Sequence, residues 1–507
     1  MARQINAGHF TAFYWGQRYG GVEPYLTALL LRLGGDGPMA LNATAALFSA
    51  IAAGLVVAIV RTAGASRRLA LAAGAVAWAW PYAAVWNSVR ELGFRYAALC
   101  CGLAAVLCAV RAQQRKGGLL TFSLLGLALG AGWWASPEIL YFVVPCLVLL
   151  FGWWRSSARG SPGQQFGRGA AIACTGGGTL LGSLPWWYAN VESGFASLKK
   201  AALPAGMNLG YGSRLSVFFH KTLPIALGVR TVPGGAWAWG STTGHLLFAL
   251  LLVAVVAAVV RSVWVMRGGS RHLAPLGLAL GVLAFPFLCA GVSATSYWVD
   301  GRYGLYLSFL IVPLLALSIA PGARDPDAPA VPRARAGGSV RTGALIGASL
   351  AVVGASLLTV GTARAGGVPA SVTAFFSGWS DPNAPIRQVV EDMAAHHLTD
   401  AFGDYWTAYD LEFMGNGRIT VSPSPLDVDR WPGLARTVAT SPDPAWLFFS
   451  PEKIAAASAA FSNPQPGPGV YTEQEFEERL TQLSIPYRVV NLGVLDAVVP
   501  SRRVLEP

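Results

Sequence analysis

Charge is scarce in this chain. Asp, Glu, Lys and Arg make up 12% of its 507 residues against 54% hydrophobic residues, and mean hydropathy is +0.48. A soluble globule of this length needs far more charged surface, so that class is excluded and a bilayer is implied as the solvent. Cysteine is sparse as well: Cys100, Cys101, Cys108, Cys146, Cys174 and Cys289 all sit in apolar stretches, and none follows residue 289. That excludes a disulfide framework in the polar tail, and no His and Cys spacing suggests a metal site. There is no strand-borne glycine-rich phosphate loop and no nucleophile elbow, so the usual soluble cofactor chemistries have no footing. No cofactor is indicated; a divalent metal is compatible with the sequence but not pointed to by it.

What is present is a series of apolar runs of roughly 20 residues, the length a helix needs to cross a hydrocarbon core of about 30 Å. Ten can be read, near 41–60, 69–88, 94–110, 118–135, 138–154, 169–189, 244–260, 273–294, 303–320 and 343–362. The net charge of +12 lies between them. Arg61, Arg67 and Arg68; Arg111, Arg115 and Lys116; Arg155, Arg159 and Arg168; Arg261, Arg267 and Arg271; and Arg324, Arg333, Arg335 and Arg341 occupy alternate loops, while Glu91, Glu138, Glu192 and Asp300 occupy the others. Basic residues stay on the cytoplasmic side, so this placement points to a membrane surface rather than to nucleic acid, and puts residues 1–40 and the tail outside.

The expected architecture is an α-helical polytopic protein of the inner or plasma membrane with about ten transmembrane helices, followed by an extracytoplasmic α/β domain. The membrane domain spans 1–362, with a first outer loop at 1–40, a long outer loop at 190–242 and a Pro, Ala and Arg-rich cytoplasmic linker at 321–342; the soluble domain spans 363–507. Within the long loop, SRLSVFFHKTLPIALGV suits a helix lying in the interface. In the tail, TDAFGDY, RITVSP, AWLFFSP, YRVVNLG and LDAVVPS read as strands, and YWTAYDLEFMG, PEKIAAASAAF and TEQEFEERLTQL as helices. Residues 1–40 carry neither a signal peptide nor a first apolar helix, yet the charge pattern puts them outside. A further translocating helix upstream of Met1 is therefore expected.

The candidate functional residues all fall in outer loops. FTAFYWGQRYGGVEPY sets Tyr14, Trp15, Gln17 and Glu23 around a Gly-Gly turn, a mixture suited either to a sugar or lipid headgroup or to an aromatic interfacial anchor. WNSVRELGFRY holds Arg90, Glu91 and Arg95, which would organise a phosphate or simply cap a helical hairpin. Glu138 follows Ser136 and Pro137 in WWASPEILYF; it lines a cavity at membrane depth or is a first-turn acid behind a Ser cap. SYWVDGRYGLY places Asp300, Arg302 and Tyr303 at the mouth of a span, where the Arg suits a lipid phosphate and otherwise snorkels. Lys199, Lys200, Arg214, Lys221 and Arg230 make the long loop basic, as anionic lipid would require and as chance in a long translocated loop would also allow.

Six segments in order, FYWGQRYGGVEPYLTALLLRLGG, RELGFRYAALCCGLAAVL, WWASPEILYFVVP, GSLPWWYANVESGFASL, KTLPIALGVR and DGRYGLYLSFLIVPLLAL, resemble the GT-C integral-membrane glycosyltransferases of the protein mannosyltransferase and aminoarabinose-transferase type. GDYWTAYDLEFMGNGRITVSP and DRWPGLARTV resemble the exported domain of an actinobacterial branch of that superfamily. The resemblance implies inverting transfer of a hexosyl or pentosyl group from a polyprenyl-phosphate donor to an envelope glycan or protein on the outer face, with membrane lipid and lipid-linked sugar as partners. It places Glu91, Arg95, Arg302 and Tyr303 near the donor phosphate, and Tyr14, Trp15, Gln17, Glu23, Glu138 and Asp300 about the cavity. Such enzymes use a first-loop Asp as general base. Nothing acidic precedes Glu23 here, so that base is expected upstream of Met1, beside the missing helix, and Glu23 is not assigned its role. The alternative is a non-catalytic or truncated relative that binds lipid headgroups or assists envelope assembly.

Overall fold

A computed structural model describes residues 1–14, 19–34, 37–88, 94–114, 117–157, 167–198, 209–232, 235–267, 273–299, 301–320, 383–425, 431–450, 452–453 and 471–505. These fall into two compact units, one built from residues up to 320 and the other from residue 383 on.

The first unit is helical. Among the described residues five helical segments are long and apolar enough to cross a bilayer: Gly37–Thr62, Arg95–Gln113, Pro137–Ser157, Ser241–Trp264 and Arg302–Ile319. Leu119–Ala135 and Ala274–Ala290 are apolar but shorter. Arg168–Glu192 is long, and its TGGGT and WWYAN segments dilute its apolar character. The predicted span 69–88 is not continuous: Arg67–Ala79 and Tyr82–Ser88 meet at 72°. Trp80 between them is extended because Pro81 disfavours the helical region for the residue before it and brings no N–H of its own. The predicted span 343–362 and the linker 321–342 lie outside the described residues. Leu246, Leu250, Val253, Val256, Val260 and Trp264 are exposed along the 241–267 helix, an apolar stripe that only a hydrocarbon solvent accommodates.

The 119–135 and 168–192 helices pack through glycine. A methyl group at Gly126 or Gly130 would overlap the carbonyl oxygens of Thr175 or Thr179, and one at Gly178 or Gly182 those of Ser123 or Leu127. Helices in lipid gain little from burying apolar area against each other, so close backbone approach supplies the packing. The stretch expected to lie in the interface is only partly there: after Tyr211–Val217 and the π-turn Phe218–Thr222, the short helix Leu223–Ala226 is buried, with Leu223 and Ala226 in the main core.

The second unit is a five-stranded sheet, β1 Asp400–Gly403, β2 Thr420–Pro423, β3 Ala445–Phe448, β4 Tyr487–Asn491 and β5 Asp496–Pro500, in the order β2-β1-β3-β5-β4. β1 is parallel to β2 and β3, and β5 is antiparallel to β3 and β4. Side chains alternate across it as a period of two demands. Ala401, Ala445, Leu447, Ala497 and Val499 pack with Val389, Met393 and Leu411 on one face; Phe402, Trp446, Phe448 and Val498 pack with Val438, Phe476 and Leu480 on the other. Each strand expected in the tail is present, as are the helices Tyr405–Gly415 and Glu473–Gln482; the helix expected at PEKIAAASAAF lies outside the described residues but for Glu452 and Lys453.

Candidate functional site

The 95–113 helix starts inside the bundle, with Arg95 and Tyr96 both buried in its first turn. Its first N–H groups have no partner within the helix. Glu23, fully buried at the start of the helix Glu23–Arg32, accepts from the Ala97 N–H through Oε1 at 3.0 Å. A carboxylate there is favoured by the helix dipole, and the contact ties the N-terminal segment to the bundle. The Gly-Gly turn serves the same docking. Gly20, at φ +83°, lies so close to Phe94 that a side chain there would come within 2.8 Å of its Cβ, and its N–H donates to the Trp134 carbonyl at 2.9 Å. Trp134 Nε1 donates back to the Ala12 carbonyl, and Tyr14 N–H donates to the Tyr19 carbonyl, with Tyr14 half-buried.

Glu138 is buried in the 3-10 segment Pro137–Phe142, where Ser136 Oγ accepts from its N–H at 3.1 Å. It is thus a capped first-turn acid and a member of a polar cluster at once. Its Oε2 stands 3.7 Å from Arg95 Nε and accepts from Tyr306 Oη. Tyr306 also lies 3.3 Å from the Arg95 carbonyl, so one hydroxyl touches both members of the ion pair.

Arg302 arrives from the other side. Gly301, at φ +68°, turns the chain where a Cβ would press on Ile225 and Ala83, and a 3-10 turn Arg302–Gly304 leads into the helix Leu305–Ile319. The Arg302 guanidinium lies over the Tyr297 ring at 4.6 Å and the Tyr303 ring at 5.3 Å; that of Arg95 lies over the same Tyr303 ring at 5.0 Å. Arg95, Arg302 and Tyr303 are therefore brought together, with Glu138 and Tyr306 beside them. Arg302 is half-exposed whereas Arg95 is buried. The cluster sits at the start of the 95–113 helix, opposite the end that carries Arg111. Glu91, Trp15, Gln17 and Asp300 lie outside the described residues.

Sequence reasoning did not single out Tyr306, Tyr297 or Trp134. For Tyr306 there was a signal: it stands three residues after Tyr303 on a helix, so both rings share one face. Arrangement and chemistry together suit an anion approaching Arg302 at the mouth of the bundle, which a planar guanidinium binds through paired N–H groups. Among the described residues, no group of three or more His, Cys, Asp or Glu side chains is placed to hold a metal ion.

No protein-family model matches the chain, and no curated protein sequence does. Two solved structures are similar in fold. ArnT from Cupriavidus metallidurans in the apo state superposes with a TM-score of 0.58 at 12% identity, over 98% of this chain and 91% of that one. ArnT from the same organism bound to undecaprenyl phosphate gives 0.54 at 12% identity, over 100% and 93%. At that identity the likeness is one of fold. The chain shares the fold of these two structures, and it is a multi-pass membrane protein.

Proposed function

We propose that this chain is a membrane glycosyltransferase that takes a sugar from a polyprenyl-phosphate carrier and passes it to an envelope acceptor on the outer face of the membrane. The observation that carries this reading is Arg302, half-exposed at the mouth of the bundle and held by two aromatic rings. The fold supports it, because one of the structures that share it, ArnT, holds undecaprenyl phosphate. The basic clusters support it too, since they put this end of the bundle outside.

In such a transfer an acceptor hydroxyl forms a bond to the anomeric carbon as the bond to the carrier phosphate breaks, and negative charge grows on the departing phosphate. A fixed guanidinium at that position stabilises the developing charge more than it stabilises the bound donor, which is what accelerates the step. Removing the acceptor proton calls for a base. Glu23 does not serve, because it is fully buried and its Oε1 is engaged on the Ala97 N–H. The same charge pattern supports an outer position for the C-terminal domain, on the acceptor's side.

The test is transfer by the purified protein in nanodiscs, supplied in turn with radiolabelled polyprenyl-phosphate hexoses and pentoses and an envelope extract as acceptor. Label in acceptor material, abolished by Arg302→Gln, supports the reading. Binding of the carrier without transfer from any donor would instead favour the non-catalytic, headgroup-binding alternative.

A further inference from the structure

Of the basic residues in the long outer loop, Arg214 is engaged on carbonyls: its Nε donates to Ala290 at 2.6 Å and its Nη1 to Leu209. Lys221 and Arg230 are held differently, each on the face of a tryptophan. Lys221 Nζ lies 5.0 Å from the Trp298 ring centre, and the Arg230 guanidinium 4.3 Å from that of Trp237. Both are half-exposed, and among the described residues no carboxylate pairs with either. A ring face attracts a cation without cancelling its charge. Both rings are also fixed in place. Arg230 Nη1 donates to the Gly235 carbonyl at 3.0 Å, and Gly235, at φ +66°, lies so close to Trp298 that a Cβ there would come within 2.4 Å of the indole. Trp298 packs against the cluster of Tyr82, Ala83, Ile225 and Val232, while Trp237 stands 4.2 Å from the His245 ring, centroid to centroid, in the first turns of Ser241–Arg267. That end of the helix is opposite Arg261, hence on the outer side, where tryptophan beside Lys or Arg marks the level of lipid phosphates.

We infer that Lys221 and Arg230 form a second anion site on the outer face, which takes a phosphate group at the membrane interface and is separate from the site at Arg302. Arg302 stands on Tyr297, the neighbour of Trp298 in the chain, so the two sites adjoin. The second site holds the phosphate of a molecule beside the carrier. Its ligand chemistry is shared by the headgroup of an anionic lipid and by a phosphorylated sugar. The inference goes beyond the carrier reading and does not require it.

The experiment places the full chain in phosphatidylcholine nanodiscs with graded phosphatidylglycerol and counts the phosphatidylglycerol it retains by native mass spectrometry. Binding of radiolabelled glucose 6-phosphate is measured in parallel by equilibrium dialysis. Lys221→Gln combined with Arg230→Gln should weaken phosphate binding about 20-fold, and Lys221→Gln alone, which keeps the test alive if the double variant does not fold, about fivefold. Lys221→Arg keeps a cation on the ring and should stay within about twofold of the wild type. Lys199→Gln combined with Lys200→Gln takes the same charge from the same loop and should change binding by no more than about twofold. A loss confined to phosphatidylglycerol identifies the ligand as a lipid headgroup; one confined to glucose 6-phosphate identifies it as a phosphorylated sugar, and a loss of both gives a site open to either. Equal losses from the two double variants would reduce the site to general basicity and overturn the inference, as would unchanged binding without Lys221 or a wild type that binds neither probe. An equal loss in Arg302→Gln would merge the two sites and overturn their separation. The carrier reading survives each of these failures, because it is tested by the polyprenyl-phosphate donors and not by these probes.

Discussion

Between the 119–135 and 168–192 helices the nearest neighbours are backbone atoms; in the C-terminal domain they are aromatic rings. Gly126, Gly130, Gly178 and Gly182 leave no room for a methyl group, while Trp446 lies 4.8 Å from Phe476 and 5.0 Å from Phe402, centroid to centroid. The difference follows from the solvent. Water rewards the removal of apolar area, so large side chains carry the domain core. Lipid does not, so the membrane unit gains from contact at short range and from polar groups satisfied inside the bundle, such as Glu23 on the Ala97 N–H. The two units should therefore fail under opposite substitutions.

The largest effect is expected from taking volume out of the domain. Phe476→Ala should cost about 3–5 kcal/mol, read as a lower urea midpoint of the transition followed by Trp446 fluorescence. Adding volume between the glycine-packed helices comes next. Gly130→Val should cost about 3 kcal/mol and appear as early loss of the monodisperse peak on heating in detergent. A removal of volume that spared the domain, or a Gly130→Val protein as stable as the wild type, would erase the contrast.

Within the membrane unit, Arg302→Gln should weaken carrier-phosphate binding about 30-fold, close to 2 kcal/mol, with little change in melting temperature. The smallest effect belongs to the domain. Burial, with Asp496 and Glu477 nearby, holds the Glu473 carboxyl above its ordinary value of 4.5. The folded state then binds the proton more tightly than the unfolded one. The stability this gives is complete below the unfolded value and declines as pH rises through the folded one. Glu473→Gln should raise the domain's melting temperature by about 1 °C at pH 7 and leave it unchanged at pH 3, the exposed part of the residue limiting the gain.

The same contrast explains what could be read beforehand. Apolar run length identifies helices because spanning a bilayer is a requirement on composition, and short apolar runs bounded by turn residues identify the strands because a sheet covered by helices on both faces is apolar on both. Neither pattern reports backbone geometry, so the break at Trp80 and Pro81 passed unnoticed inside an apolar run. Arg95, Arg302 and Tyr303 were visible as unusual polar residues at span mouths. The pairing of Glu138 with Arg95 and Tyr306 was not, because Glu138 and Tyr306 are 168 residues apart in sequence and meet only through helix packing. Glu23 was visible as an acid beside a Gly-Gly turn; its function as the cap of a helix 74 residues on was not.

The central claim is that a carrier phosphate meets Arg302 at the mouth of the bundle. It is tested most directly by irradiating the nanodisc-embedded protein with a polyprenyl phosphate bearing a photoreactive group beside the phosphate, then mapping the labelled peptides. The account predicts labelling concentrated between Tyr297 and Tyr306, competed away by unlabelled polyprenyl phosphate and lost in Arg302→Gln. Labelling spread along the lipid-facing 241–267 helix, indifferent to competitor and to that substitution, would contradict it.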